Sequence, residues 1–411
     1  MSAAAAAPVY GLCKPTVKVA ALNSMIPRRP SYHGLNPKEP KMPSLKHNNS
    51  NNRVSDVLRL LDSMHFPIPT DMYASLLKEC TDSKDIVGGA DLHAHINNNL
   101  STSGITRRLR LANRLLLMYA SCGHLDSARQ LFEKMTSRDS VSWLIMITSH
   151  VDQNFPEEAL RLFNQMIMET SVQHQDLKLS VPSVLKACVN TGHFGLGKQV
   201  HGLVLKLGHT EGDLIMCSSL IDFYGKFRCL DGSQRVFDQV IPSRGDTVTW
   251  TSMMAAYCKQ GHFDMVIELF KKMGRAGVKK NSFTISTVLR ACGRLSRGAE
   301  DCESNDDRGM CGKQVHANAI KLGVVESDIY VQCSLVDMYG KCGLIKESRM
   351  AFNWITGSSE RNDVCWSAML NTYMQHGSYK EAIKLLYLMN SVGIELPESV
   401  LNSLRVACAG I

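Results

Sequence analysis

Apolar positions recur at steps of three and four along most of this chain. Leu125, Ala128, Phe132 and Met135 form one such series, and Phe263, Val266, Phe270 and Met273 another. That spacing draws a single stripe down an α-helix. Gly123, Gly192, Gly261, Gly343 and Gly377 fall between successive stripes, where a helix C-cap calls for left-handed backbone. Pro156 stands where a first helical turn tolerates a missing N–H. The pattern predicts helix after helix joined by short turns.

The helices come in units that repeat. SWLIMITSHV at 142–151, TWTSMMAAYC at 249–258 and CWSAMLNTYM at 365–374 are one segment written three times. ANRLLLMYASCG (112–123), CSSLIDFYGK (217–226) and CSLVDMYGKCG (333–343) form a second family, and PSVLKAC, STVLRAC and NSLRVAC a third, with GKQVH at 197–201 and again at 312–316. The families follow one another in a fixed cycle. A pair of such helices cannot bury its apolar stripe alone, so neighbours must stack. The expected fold is all-α, a right-handed α-solenoid of stacked helix-turn-helix repeats.

These segments closely resemble the pentatricopeptide repeats of plant organellar proteins, in the subclass that cycles long, short and standard repeats. The resemblance covers about residues 54–411, with GKQVH, DMYGKCG and the SW or TW starts in the family's order. It parses the chain into units at 70–108, 109–139, 140–177, 178–213, 214–246, 247–281, 282–328, 329–362 and 363–397, with a tenth starting at 398 and the second helix of an earlier unit at 54–69. The long unit 282–328 carries eleven residues more than the long unit 178–213, placed between its helices around GAEDCESNDDRG. That acidic insert reads as a solvated loop, and its spacing fits no cation-binding loop.

Composition changes the picture at one end. Residues 1–53 hold Lys14, Lys18, Arg28, Arg29, Lys38, Lys41, Lys46 and Arg53 against the single acid Glu39, a transit-peptide composition. Its first thirteen residues carry no side-chain charge, which points to the chloroplast, with the mitochondrion as the alternative. A secretory signal would need a long apolar block, which Pro8, Lys14, Pro15 and Lys18 interrupt. The formal net charge is +8; eight bases minus one acid assigns +7 of it to residues 1–53, leaving +1 for the repeats. Global charge therefore gives no argument for nucleic acid. No apolar run reaches the ~18–20 residues that would cross a bilayer, so no membrane partner is expected.

Recurrent residues have structural readings. Fourteen cysteines contain no Cys-x-x-Cys pair; Cys80, Cys188, Cys292 and Cys408 recur in one context and Cys122 and Cys342 in another, as small packing residues do. Neither structural disulfides nor a metal site is expected. Trp143, Trp250 and Trp366 recur with the period of the fold and are expected in the interhelix core. His93, His201 and His316 are roughly three helix pairs apart, too far to share a metal at ~10 Å per layer; packing or a hydrogen bond to the adjacent turn is expected. Met135, Met166, Met273 and Met389 close second helices as core filling.

The resemblance implies single-stranded organellar RNA as partner, no cofactor, and about one base read per repeat through its fifth and last residues, with second-position side chains wedging bases. It assigns Asn113 with Asp139 to uracil, Ser218 with Asp246 to guanine and Thr251 with Asn281 to adenine. Cys333 with Asn362 is ambiguous, and Ser367 with Pro397, like Leu144 with Leu177, lacks a usable pair. The wedges are Val141, Ile215, Val248, Tyr330 and Val364, with Leu179 and Phe283 at the same position, while Arg110 departs from it. The implied core is 5′-U-n-n-G-A-3′. Many members of this subclass carry a cytidine-deaminase-like domain needing His-x-Glu followed by Cys-x-x-Cys. That combination is absent, and the sequence stops at Ile411 inside a repeat. No P-loop, G-x-G-x-x-G or G-x-S-x-G context occurs either. The chain is therefore expected not to be an enzyme, and to mark cytidine-to-uridine editing sites for a deaminase supplied in trans. RNA stabilisation, splicing or translation by occupancy is the alternative, as is a protein-binding solenoid of the tetratricopeptide kind, although W-x-x-L-G-x-x-Y does not recur.

Overall fold

The computed structural model describes residues 56–57, 68–99, 109–169, 174–206, 213–244, 246–298, 309–355 and 362–394. The proposed transit peptide, nearly all of 54–69, most of the acidic insert and the tenth repeat with Leu401, Leu404 and Val406 lie outside the described residues. Among the described residues there are nineteen α-helices, one 3-10 helix and no strand.

The chain divides into two compact units, Met1–Asn154 and Phe155–Ile411. The first holds α1 (Thr70–Ser83), α2 (Ile86–Asn99), α3 (Leu109–Ser121), α4 (Leu125–Lys134) and α5 (Ser140–Asp152). Here α1 packs on α3 and α3 on α5, so first helices of successive repeats form a continuous row, with α2 and α4 each packed on its own first helix.

The second unit opens with α6 (Pro156–Met168) and a 3-10 helix (His174–Leu179), followed by α7 (Val181–Thr191), α8 (Phe194–Lys206), α9 (Leu214–Lys226) and α10 (Leu230–Arg244). Next come α11 (Thr247–Gln260), α12 (Phe263–Arg275), α13 (Ser282–Gly298), α14 (Met310–Lys321) and the one-turn α15 (Val324–Ser327). The described residues close with α16 (Ile329–Lys341), α17 (Ile345–Trp354), α18 (Asp363–Gln375) and α19 (Tyr379–Ser391). The same row recurs, α7, α9, α11, α13, α16 and α18 each packing on the next. Second helices α10, α12 and α17 also reach the first helix that follows them.

Side-chain chemistry explains why the motifs recur. Each standard-repeat tryptophan is buried edge-on against a phenylalanine of the short repeat before it: Trp143 on Phe132 with centroids 4.8 Å apart, Trp250 on Phe237 at 5.3 Å and Trp366 on Phe352 at 5.0 Å. That is the interhelix core the sequence predicts. The long-to-short joint uses a glycine and a histidine one turn apart. A Cβ on Gly197 would stand 2.2 Å from the Phe223 ring and one on Gly312 2.3 Å from the Met338 sulfur, so the bare glycines let the helices close. One turn on, Nδ1 of His93, His201 and His316 shares a hydrogen bond of 2.8 Å with the hydroxyl of Tyr119, Tyr224 and Tyr339. The histidines thus tie each long repeat to the next repeat's first helix, not to the adjacent turn. Burial holds all three below the usual imidazole range, with Lys134 adding to the shift at His93.

The interhelix glycines take the left-handed backbone expected of them, Gly261 with φ of 85° for one, while Lys84, Asn154 and Arg228 accept it without being glycine. Cys80, Cys188 and Cys292 are buried, and burial pushes the Cys80 thiol up to about 12 and the Cys188 thiol up to about 11. Met135, Met166, Met273 and Met389 are buried core as well.

Candidate nucleic-acid interface

Within each compact unit, the sequence-assigned site residues recur at the N-terminal turns of the first helices. Four of the last-position residues assigned to the site are N-caps. Asp139 Oδ1 accepts from the Ser142 backbone N–H at 2.8 Å, Asp246 Oδ1 from that of Thr249 at 2.9 Å, Asn281 Oδ1 from that of Thr284 at 2.8 Å and Asn362 Oδ1 from that of Cys365 at 3.0 Å. Asp213 caps α9 in the same way through the Met216 N–H, and Asp328 caps α16 through the N–H of Tyr330, two residues on. A short acceptor side chain at this point satisfies an orphan helix donor and stabilises by ~1 kcal/mol. Capping alone is therefore sufficient reason for Asp or Asn to recur here. The signal was present in the sequence as Asp-Ser-Val-Ser, Asp-Thr-Val-Thr and Asn-Ser-Phe-Thr, and reading those residues only as base readers missed it.

The cap has a chemical consequence. It consumes one named oxygen, Oδ1, and at Asp139, Asp246 and Asn281 a hydroxyl converges on the same atom, Thr249 Oγ1 reaching Asp246 Oδ1 at 2.7 Å and Thr284 Oγ1 reaching Asn281 Oδ1 at 2.8 Å. The second atom of the fork differs: Asp139 and Asp246 retain Oδ2, an acceptor, whereas Asn281 and Asn362 retain Nδ2, a donor.

Fifth-position residues sit one turn into the helix. Asn113 Nδ2 donates to Asp139 Oδ1 at 3.0 Å while Asn113 Oδ1 accepts from the Ser142 hydroxyl at 2.7 Å, so this pair is joined directly. Cys333 Sγ donates to Asn362 Oδ1 at 3.2 Å, joining a second pair. Ser218 and Thr251 instead donate to carbonyls of their own helix, those of Ile215 and Thr247, at 3.0 and 2.8 Å. Asn113, Ser218, Thr251 and Cys333 are all buried, and Ser367 is half-buried. The last-position residues are more open, Asn281 being exposed and Asp139, Asp246 and Asn362 half-buried.

Second-position side chains point into solvent from the first turn. Ile215 is 63% exposed, Val248 52%, Phe283 53% and Tyr330 52%, with Val364 also exposed and Val141 half-buried. Large apolar side chains thus stand in water at one equivalent position of several first helices. Leu179 is a correction to that series: it lies half-buried in the 3-10 helix, before α7 begins. Leu177 holds the cap position of this repeat and offers no acceptor, and Pro182 at the start of α7 has no N–H to bond back a turn, so the α-helix starts late.

Among the described residues no group of three or more His, Cys, Asp or Glu is placed to hold a metal, and no helix is long and apolar enough to cross a membrane. One His-x-Glu triplet, His209-Thr210-Glu211, occurs outside the described residues, with no Cys-x-x-Cys to complete it.

Comparison with known proteins agrees with the repeat pattern. A PPR repeat family model matches residues 245–294, and a PPR repeat model matches 112–140, 141–170 and 364–394. The chain is 40% identical over 370 residues to pentatricopeptide repeat-containing protein At1g31790 of Arabidopsis thaliana, covering 88% of this chain and 85% of that protein. Two further Arabidopsis relatives are At3g24000, mitochondrial, at 33% identity (81% and 49% covered), and At4g18520, chloroplastic, at 30% (84% and 52%). The chain thus spans about half the length of these two. Of solved structures, pentatricopeptide repeat protein PPR10 in complex with an 18-nt psaJ RNA element superposes with a TM-score of 0.60 at 16% identity, over 86% of this chain and 55% of that one, a likeness of fold. The protein is an all-α helical-repeat protein, and it belongs to the pentatricopeptide repeat family.

Proposed function

We propose that the chain binds single-stranded RNA in an organelle, base by base, through the N-terminal turns of its first helices. The observation that carries this is the division of labour within each last-position fork: Oδ1 is spent on the helix cap, and the remaining atom is an acceptor in Asp139 and Asp246 and a donor in Asn281 and Asn362. An acceptor selects the ring imino hydrogen of uracil or guanine, and a donor selects the bare ring nitrogen of adenine or cytosine. Exposed Ile215, Val248, Phe283, Tyr330 and Val364 supply apolar faces between which bases stack. Asn113 sets the orientation of Asp139 through their hydrogen bond. The PPR10 structure with bound RNA supports the same class of ligand, and relatives named chloroplastic and mitochondrial support an organelle.

The register reads Asn113 with Asp139 as uracil, Ser218 with Asp246 as guanine and Thr251 with Asn281 as adenine, hence 5′-U-n-n-G-A-3′. Occupancy of such a site marks a cytidine for a deaminase acting in trans, in a chloroplast before a mitochondrion. Selection from a random RNA pool tests the register. Asn281→Asp retains the cap and turns the spare donor into an acceptor, so the last preference moves from A toward G by about 1 kcal/mol; an unchanged preference sinks it. Sequencing organellar transcripts from a loss-of-function plant separates editing, which loses specific C-to-U changes, from stabilisation, splicing or translation, which alter abundance, introns or ribosome loading.

A further inference from the structure

Away from the first-turn residues, the long repeat 282–328 holds a thiol pair that the fold does not require. Cys292 on α13 donates its hydrogen to Cys311 at the second residue of α14, with the two sulfurs 3.6 Å apart. The cysteine on α13 is shared by the other long repeats, as Cys80 and Cys188, but its partner is not. The residue before the motif glycine is Cys311 here, Leu196 in the preceding long repeat and Gly88 in the first. Of these three long repeats, this one alone sets a cysteine before the motif glycine, within reach of the packing cysteine.

The two sulfurs differ in a way that suits exchange chemistry. Cys292 is buried, and both its hydrogen bond to Cys311 and its burial push its thiol up. Cys311 is only half-buried and lies in the first turn of a helix, where thiolate is favoured. The hydrogen bond from Cys292 holds it below the usual thiol range, and the nearby Lys271 ammonium acts the same way. One group is built to attack from solvent and the other to resolve from inside.

We propose that Cys292 and Cys311 form a reversible disulfide modification site whose oxidant is a small-molecule disulfide. The Cys311 thiolate attacks one sulfur of the oxidant, expelling one thiolate and leaving a mixed disulfide on Cys311. Cys292 then gives up its proton and attacks Cys311 Sγ, and the second thiolate leaves. Two protein thiols are oxidised to one disulfide, and one small disulfide is reduced to two thiols. The sulfurs need only close from van der Waals contact to ~2.05 Å. The bond fastens α13 to α14 and closes a loop of the eighteen residues 293–310, which restrains the unfolded chain.

The test incubates the full chain with glutathione disulfide, alkylates the remaining thiols under denaturing conditions, and maps peptides by mass spectrometry. The expected result is loss of Cys292 and Cys311 together from the alkylated set, a 292–311 cross-linked peptide, and return of both after dithiothreitol. Cys311→Ser should leave Cys292 fully alkylatable, and Cys292→Ser should arrest Cys311 as its glutathione adduct. The proposal is overturned if the wild-type chain stops at that adduct, if either thiol is found linked to Cys302 or Cys342, or if neither is lost.

Discussion

Gly197→Ala puts a methyl group where the ring of Phe223 already stands. The added Cβ would lie 2.2 Å from two ring carbons, well inside contact distance, and the ring cannot retreat easily. Phe223 is buried, with its centroid 5.7 Å from that of Phe194 and 5.1 Å from that of Phe227. Overpacking of this kind costs ~1–3 kcal/mol. Alanine also favours a helix interior over glycine by ~1 kcal/mol, which hides part of the loss. The same helix supplies the control. Gly202 lies in α8 too, and a Cβ there meets nothing within 4 Å. Gly202→Ala should therefore show the propensity gain alone, and the difference between the two variants isolates the steric cost at ~1–3 kcal/mol. Urea unfolding followed by helical circular dichroism, with both variants compared at a common slope, measures it. If Gly197→Ala is as stable as Gly202→Ala, the close approach of α8 and α9 is not what the motif glycine is for.

Other perturbations test the joints and turns. Arg228 and Gly261 hold the same interhelix position with φ of 59° and 85°, so Arg228→Gly should raise stability by ~0.5–1 kcal/mol and Gly261→Ala lower it by ~1 kcal/mol, since only glycine takes that backbone without strain; equal signs in urea melts refute the assignment. The three His–Tyr joints predict a pH dependence. Their folded pKa values are lowered, chiefly by burial, so the unfolded chain binds protons first, and their contribution is complete above about pH 6.5 and lost as pH falls through the folded values. Unfolding midpoints should drop between pH 7.5 and 5.5, and replacing His93, His201 and His316 with Gln should flatten that decline; an equally steep decline in the variant removes them as its cause.

The helices were legible because burial on one side leaves a periodic trace. Val266, Phe270 and Met273 are spaced as a stripe and are buried as a stripe, and Trp250 and Trp366 recur because a phenylalanine of the neighbouring repeat waits at the same register each time. Boundaries were less legible, since aligning one repeat with another transfers its length as well as its pattern. Position 281 is Asn and caps α13, while the aligned position 177 is Leu and caps nothing, so α7 begins late although the apolar residues align throughout. The clue was one residue type, and periodicity is blind to it.

The helix positions of the candidate site residues were legible in the sequence, and the atoms their hydrogen bonds leave over were not. Asn113, Ser218, Thr251 and Cys333 sit where repeat spacing puts them, yet their burial is created by adjacent repeats, which a residue-by-residue reading does not contain. The cap is different in kind, because it is local and could have been deduced. Asp246 is followed by Thr247, Val248 and Thr249, and an aspartate three residues before a threonine at a helix start spends an oxygen on that threonine's N–H. From that one bond it follows that aspartate and asparagine present opposite polarities to a ligand while doing the same work for the helix. Stability therefore places little constraint on the exchange of one for the other, and the choice between them is left for the partner to decide.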